Sequence, residues 1–334
     1  MEKNKIYTLQ DVANELGLDK STVSRAISGK GRVGADTKRR VREFIASHDY
    51  RPSASAKGLA TNKTNNLALV MPEDYLSKHM LFFKECLVGF VLAAKEYGYY
   101  IVNSVAESND NYSHIRNMVN DRKVDGMILL RSVRDNKVEH ILVEKKIPYV
   151  VFGRSEEPDA IWVDNDNKNA SEEMTELLLM KGIYPLALIG GDSSHYVTTQ
   201  RYEGFMEAHR KRNLKPVENL IFMDVTEQIR LETAAKEALQ RGAECIICMD
   251  EVQAYTVSLF FRQQGVVVPG DIKLATCYDS PLNLGSTPAI TAIHFDSVGL
   301  AKLACRLLLK KLGEQVTGET GSAKYQIILR ESTR

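Results

Sequence analysis

Cysteine is scarce here: five residues among 334, at positions 86, 245, 248, 277 and 305, odd in number and set mostly in apolar segments. That excludes a disulfide scaffold. With 9 prolines and 21 glycines, the chain is neither collagenous nor a low-complexity polymer. No apolar run approaches the roughly 20 residues a membrane-crossing helix requires, and residues 243–249 carry an acid besides. Met1-Glu-Lys-Asn-Lys5 holds no apolar signal region, so a soluble, cytoplasmic protein with no membrane partner is expected.

Chemistry-bearing motifs are missing too. The seven histidines show neither H-x-x-x-H nor a His/Cys pairing at ligand spacing, so no metal is expected. Cys245-Ile-Ile-Cys248 has redox spacing but lies in an apolar, strand-like run, where the two sulfurs take opposite faces or bury separately. Gly190-Gly191 lacks the surroundings of a phosphate loop, and Ser193-Ser-His195 lacks a nucleophile elbow. Neither a catalytic residue nor a cofactor is expected; the chain does not read as an enzyme.

What is present is a core-forming composition, 44% hydrophobic and 26% charged, long enough for about two domains. The net charge of +1 hides an asymmetry: residues 1–64 carry 13 Lys/Arg against 7 Asp/Glu, and the rest 31 against 36. A basic head on a mildly acidic body points to a polyanion met by the head, or else to a solvated basic face.

The pattern inside the head decides between them. Thr8 is a fair N-cap for a helix over 9–16, with Leu9, Val12, Ala13 and Leu16 on one face, ended by Gly17-Leu18. Asp19 caps a second helix over 20–27, and a third runs from Thr37 to about Ser47 with Val41, Phe44 and Ile45 inward. That is a helix-turn-helix plan. With Val23, Ala26 and Ile27 spent on the core, Lys20, Ser21, Thr22 and Arg25 remain for base edges in a major groove. Thr8, Ser24 and the Lys38-Arg39-Arg40 run would anchor phosphates.

Past Tyr50 comes Arg51-Pro-Ser-Ala-Ser-Ala-Lys-Gly-Leu59. Together with Thr8-Leu-x-Asp-Val-Ala13, Gly17-Leu18 and Ser21-Thr-Val-Ser-Arg-Ala-Ile-Ser28, this resembles the lactose-repressor/galactose-repressor family of bacterial transcription regulators. The resemblance implies a hinge helix whose Ser53, Ala56, Lys57 and Leu59 meet DNA, paired Leu59 side chains wedging open the minor groove at the operator centre. Lys57 stands where the family prefers Arg, and Gly58 where Ser is commoner, which weakens the isolated hinge helix by up to about 1 kcal/mol. Domains are then expected at 1–50 (helix-turn-helix), 51–65 (hinge and linker) and 66–334 (effector binding and dimerisation).

From Asn66 onward, apolar strand-length runs (67–71, 99–105, 126–130, 149–152, 186–189, 245–248, 272–276) alternate with helical stretches, an α/β pattern of parallel sheets. The resemblance implies a two-lobed, periplasmic-binding-protein-like body with crossovers near 162–164, 291–294 and 322–325. Ligands of such sheets bind where loops leave the carboxyl ends of strands. Arg201, Asp250 and Asp279 would bind sugar hydroxyls, with Phe82, Phe83, Trp162 and Phe295 as aromatic faces and Arg131 beside them. Each acid also reads as a helix N-cap or lobe-closing ion pair.

Within the family, Val163-Asp-Asn-Asp-Asn167, Gly190-Gly191 and Val197-Thr-x-x-Arg201 are similar to maltose-operon repressors of Gram-positive bacteria, with Gln200, Arg131 and His294 departing from that branch. The expectation is a homodimeric repressor of carbohydrate-utilisation genes on a pseudo-palindromic operator, released by maltose or another α-glucoside. Residues 81–96 would form the dimer surface. The alternatives are DNA binding tightened by a corepressor or phosphoprotein partner, and a sugar-binding transport component.

Overall fold

The computed structural model describes residues 7–28, 31–48, 63–73, 81–107, 109–317 and 324–334. The chain divides into two compact units, 1–65 and 66–334. Ser53, Ala56, Lys57, Gly58 and Leu59 lie outside the described residues.

The first unit holds α1 (Leu9–Leu16), α2 (Lys20–Ser28) and α3 (Ala35–Ser47). Val12, Ala13, Val23, Ala26 and Val41 form its core, with Leu9, Leu16, Ile27, Phe44 and Ile45 packed around them. Gly17 ends α1 in the left-handed region (φ 64°), the conformation that a tight exit into α2 requires and that glycine adopts without penalty.

The second unit has two lobes. β1 (Asn66–Pro72), α4 (Leu81–Glu96), β2 (Tyr100–Ala106), α5 (Ser113–Asn120), β3 (Gly126–Leu129), α6 (Lys137–Glu144), β4 (Tyr149–Phe152) and β5 (Ile161–Val163) build a five-stranded parallel sheet of order β2-β1-β3-β4-β5. Its central strands are apolar on both faces, as a parallel sheet covered on both sides demands. The second lobe holds α7 (Asn167–Met180), β6 (Leu186–Ile189), α8 (Tyr196–Lys211), β7 (Ile221–Phe222), α9 (Gln228–Gln240), β8 (Cys245–Cys248), α10 (Glu251–Gln263), β9 (Lys273–Thr276), α11 (Pro281–Leu284) and β10 (Thr291–Phe295). Then α12 (Ser297–Lys311) precedes β11 (Tyr325–Ile328). The sheet order is β11-β10-β9-β8-β6-β7, parallel except for β11, which runs antiparallel on β10.

α12 returns to the first lobe: Leu300, Ala301, Ala304, Cys305 and Leu308 share a core with Phe90 of α4 and with β1. Three crossovers result. The first runs through Asp164–Asp166 between β5 and α7, at the end of the expected 162–164. The second does not lie at 291–294. Those residues are strand β10, hydrogen-bonded to both neighbours, and the chain leaves the lobe only after Phe295. The third falls between Lys311 and Tyr325, and the expected 322–325 lies mostly outside the described residues, with Tyr325 already in β11. Gly204 sits where α8 crosses α7; a Cβ there would collide with the Lys168 carbonyl and the Glu172 amide. The last residue of the Arg-x-x-Gly motif is therefore a packing requirement.

Cys245 and Cys248 are free, fully buried, and belong to cores on opposite faces of β8. Burial pushes the Cys245 thiol up to about 12 and Cys248 well above its ordinary value, so neither is a reactive thiolate.

Candidate functional site

In the head, Lys20, Ser21 and Arg25 are exposed on α2, Thr22 and Ser24 are half-buried, and Val23 and Ala26 are inside. One face of α2 is thus left polar and basic. Thr8 closes a capping box: the Asp11 amide donates to its Oγ1 (3.2 Å), and its own amide and hydroxyl donate to Asp11 Oδ2 (2.8 and 2.6 Å). In the expected phosphate run, two cations have structural partners. Arg40 donates to the Leu16 carbonyl (3.0 Å), closing the C-terminus of α1, and Arg39 pairs with Asp36 and Glu43 along α3 (2.7 and 3.2 Å).

In the body, a cleft opens between the lobes at the carboxyl ends of β3, β4, β5, β8 and β9. Its aromatic wall is Phe82, Phe83, Phe152 and Tyr278. Phe82 is centred in it, 5.3 Å from Phe83, 5.6 Å from Phe152 and 5.5 Å from Tyr278. The Arg131 guanidinium lies 5.7 Å from the Phe83 ring. Phe82 packs against the cores of both lobes. The Tyr278 hydroxyl reaches Glu85 (3.0 Å) on α4 and Ser297 (2.8 Å) on α12, fastening one lobe to the other.

Opposite the rings lie polar groups. Arg201, buried on α8, donates through Nη1 to the Met249 carbonyl at the end of β8. Asp250 caps α10, accepting from the Gln253 amide (2.7 Å) while lining the cleft. Asp164 accepts from Gln200 (3.0 Å) and Asn167 (3.3 Å). Burial raises the Asp164 carboxyl; the Gln200 hydrogen bond and nearby Arg201 oppose the rise. Glu251 is pushed up to about 8 by burial and then by Asp250, so near neutrality it holds a proton and can donate. Among the described residues, Arg201 Nε and Glu251 Oε1 are buried with no hydrogen-bond partner. Rings on one side and buried donors and acceptors on the other suit a polyhydroxylated ring with an apolar face. No group of three or more His, Cys, Asp or Glu able to hold a metal occurs among the described residues.

Five of the eight expected effector residues meet in this cleft: Phe82, Phe83, Arg131, Arg201 and Asp250. Three do not. Trp162 points outward from β5, 49% exposed, because strand alternation buries Val163 instead. Phe295 is buried in the core, parallel to Tyr278 at 6.3 Å, so Tyr278 presents the ring. Asp279 is held by Arg330, which follows β11 of the same lobe, so its ion pair stays within one lobe and is not the lobe-closing one expected from sequence. Sequence reasoning did not assign Phe152, Asp164, Glu251 or Tyr278 to the effector; Phe152 ends β4, Asp164 directly follows β5, and Tyr278 and Glu251 lie two and three residues past β9 and β8, so their place at the carboxyl ends of strands was the available signal.

Among the described residues no helix is long and apolar enough to cross a membrane. Residues 8–53 match the profile of bacterial regulatory proteins, lacI family, and residues 175–333 that of a periplasmic binding protein-like domain. The HTH-type transcriptional regulator MalR of Streptococcus pneumoniae is 31% identical over 217 residues, 64% of this chain and 66% of that protein. A transcriptional regulator CelR–cellobiose complex superposes with a TM-score of 0.72 at 24% identity, covering 98% of this chain and 99% of the other. The lac repressor dimer bound to operator and the anti-inducer ONPF gives 0.81 at 19% identity, with the same coverage. The chain belongs to the lacI family of bacterial regulatory proteins: it is a DNA-binding transcription regulator and not an enzyme.

Proposed function

We propose that this regulator represses carbohydrate-utilisation genes in the bacterial cytoplasm, binding a pseudo-palindromic operator as a homodimer and leaving it when a glucoside enters the body. The observation that carries the reading is the interlobe cleft, where the Phe82, Phe83, Phe152 and Tyr278 rings face buried Arg201 and the acids Asp164 and Asp250. The MalR similarity and the cellobiose held by the same fold in CelR support a sugar ligand. Exposed Arg25, Lys20 and Ser21 on α2, with Thr22 at its edge, support base reading, and Ser24 together with Thr8 at the start of α1 would anchor phosphates. Residues 51–65 would link head and body. The outer side of α4, where Val88, Val91 and Leu92 are exposed, together with Tyr100 on edge strand β2, suits a two-fold dimer contact.

The test is operator retention. DNA selected from a random pool by the purified protein is challenged with maltose, cellobiose, other glucosides and their phosphates. Release by one sugar is the expected result. Tighter binding with a sugar would replace induction by corepression, and retention indifferent to every sugar would overturn the effector assignment.

A further inference from the structure

In the first lobe, α5 and α6 each end one loop before the next parallel strand, so their C-termini lie at the amino edge of the sheet, where the chain also enters the body at Asn66. α12 ends on the same edge: a Cβ on Gly126, at the start of β3, would touch Leu308 in its last turn. The loops are tied together there. Asn66 Nδ2 donates to the Lys123 carbonyl (3.2 Å), and Lys311 Nζ lies 5.7 Å from the Tyr149 ring at the start of β4.

This edge is basic in an acidic body. It exposes Arg122, Lys123, Lys145, Lys146, Lys310 and Lys311, whereas the chain beyond residue 64 carries 31 Lys/Arg against 36 Asp/Glu. Asp121 pairs with Lys123 (3.0 Å) and Glu144 with Lys145 (3.5 Å), and Glu314 accepts from the Tyr99 hydroxyl (3.0 Å). Among the described residues, Arg122, Lys146 and Lys310 have no ion-pair partner. A cation at a helix C-terminus also answers the helix dipole, so the second lobe is the comparison. At the ends of its α8 and α9, Arg210, Lys211, Arg212 and Arg241 are all held by glutamates of the same lobe. The dipole therefore does not require cations left unpaired.

We infer that this edge is a second DNA-binding surface, in which Arg122, Lys146 and Lys310 meet backbone phosphates of the duplex that the head reads. Neighbouring strands are about 4.8 Å apart, so the loops before β3 and β4 and the end of α12 spread these charges over roughly 10 Å, a span that faces about two or three phosphates. Continuity favours DNA over an acidic protein: only residues 48–65 separate α3 from Asn66, on this edge. The inference adds a contact by the body to the DNA binding of the head.

The full-length protein is titrated against its selected operator by fluorescence anisotropy between about 50 and 200 mM salt. Combining Arg122→Gln, Lys146→Gln and Lys310→Gln is expected to weaken binding tenfold or more, and to flatten the slope of log affinity against log salt by about 2–3, near 0.9 for each phosphate lost. The loss should be equal on every single-base operator variant, because phosphate contacts carry no sequence. Combining Lys215→Gln, Arg230→Gln and Lys236→Gln removes the same charge from exposed positions of the second lobe and should leave affinity within twofold. Asp121→Lys adds a cation to the edge and frees Lys123. It should tighten binding threefold and steepen the slope by about 1, so it serves even if the triple variant folds poorly. An unchanged slope in the triple variant, an equal loss in the second-lobe control, a loss confined to particular bases, or no gain in Asp121→Lys would each overturn the second surface while sparing recognition by the head. Failure of the parent to retain any DNA would overturn both.

Discussion

Arg330 clasps Asp279 with two parallel hydrogen bonds, Nη1 to Oδ1 at 2.7 Å and Nη2 to Oδ2 at 2.8 Å, and Nη1 also donates to the Ile290 carbonyl at 2.7 Å. Both side chains are about nine-tenths buried. The pair joins the loop after β9 to the segment after β11, so it locks the C-terminal end of the chain onto the sheet. Removing one partner strands the other charge. Asp279→Asn is expected to cost about 3–5 kcal/mol in urea unfolding, with sugar affinity within twofold of the parent because Asp279 lies outside the cleft lining. A large loss of sugar affinity at unchanged stability would return Asp279 to the binding site.

Arg201 lines the interlobe cleft. Its fork-shaped group donates to the Met249 carbonyl through Nη1 while Nε remains for a ligand. Lysine keeps the charge and loses this geometry. Arg201→Lys should weaken sugar-driven operator release at least tenfold, about 1.4 kcal/mol, and leave sugar-free operator affinity unchanged. Fluorescence anisotropy of labelled operator with increasing sugar reads both quantities.

Glu251 makes stability depend on pH. Its carboxyl sits near 8 in the folded chain against an ordinary value of 4.5. Between those values the folded state holds a proton that the unfolded state has lost, so stability falls as pH rises through the window and levels off above it. The slope is at most about 1.4 kcal/mol per pH unit. Asp164, also raised, adds to it in the same direction. Glu251→Gln should flatten most of the decline in urea midpoints measured from pH 5 to 8.5; an unchanged slope would show that Glu251 is ionised when buried.

Two head residues separate stability from recognition. Thr8→Ala removes the capping box of α1 and should cost about 1 kcal/mol in thermal unfolding of the head. Arg25→Ala, at an exposed position, should shift that melt less than Thr8→Ala does. It should lose about 1–3 kcal/mol of discrimination at one base of each half-site, read by binding to single-base operator variants. Equal losses on every sequence would make Arg25 a phosphate contact.

Local rules made the head legible. Thr8, Gly17, Val23 and Ala26 do their work within a few residues of themselves, through capping, a left-handed turn and 3.6-residue periodicity. Most strands read equally well, since buried parallel strands are continuous apolar runs; β10, expected as a crossover, did not. The Arg-x-x-Gly motif was found for its arginine; its glycine proved to serve the crossing of α7 and α8.

The sequence by itself determined the two units, the α/β body, the charged outer face of α2 and five of the cleft residues. Tertiary structure decided the rest. Strand parity turned Trp162 outward, and stacking put Tyr278 in front of Phe295. Arg330, 51 residues away in sequence, took Asp279 out of reach. α12 left its neighbours in sequence to pack in the first lobe. Trp162 apart, whose direction follows the local alternation of β5, the deciding partner is distant along the chain, so neither local propensity nor hydrophobic period carries the information: it exists only once sheets and helices have packed together.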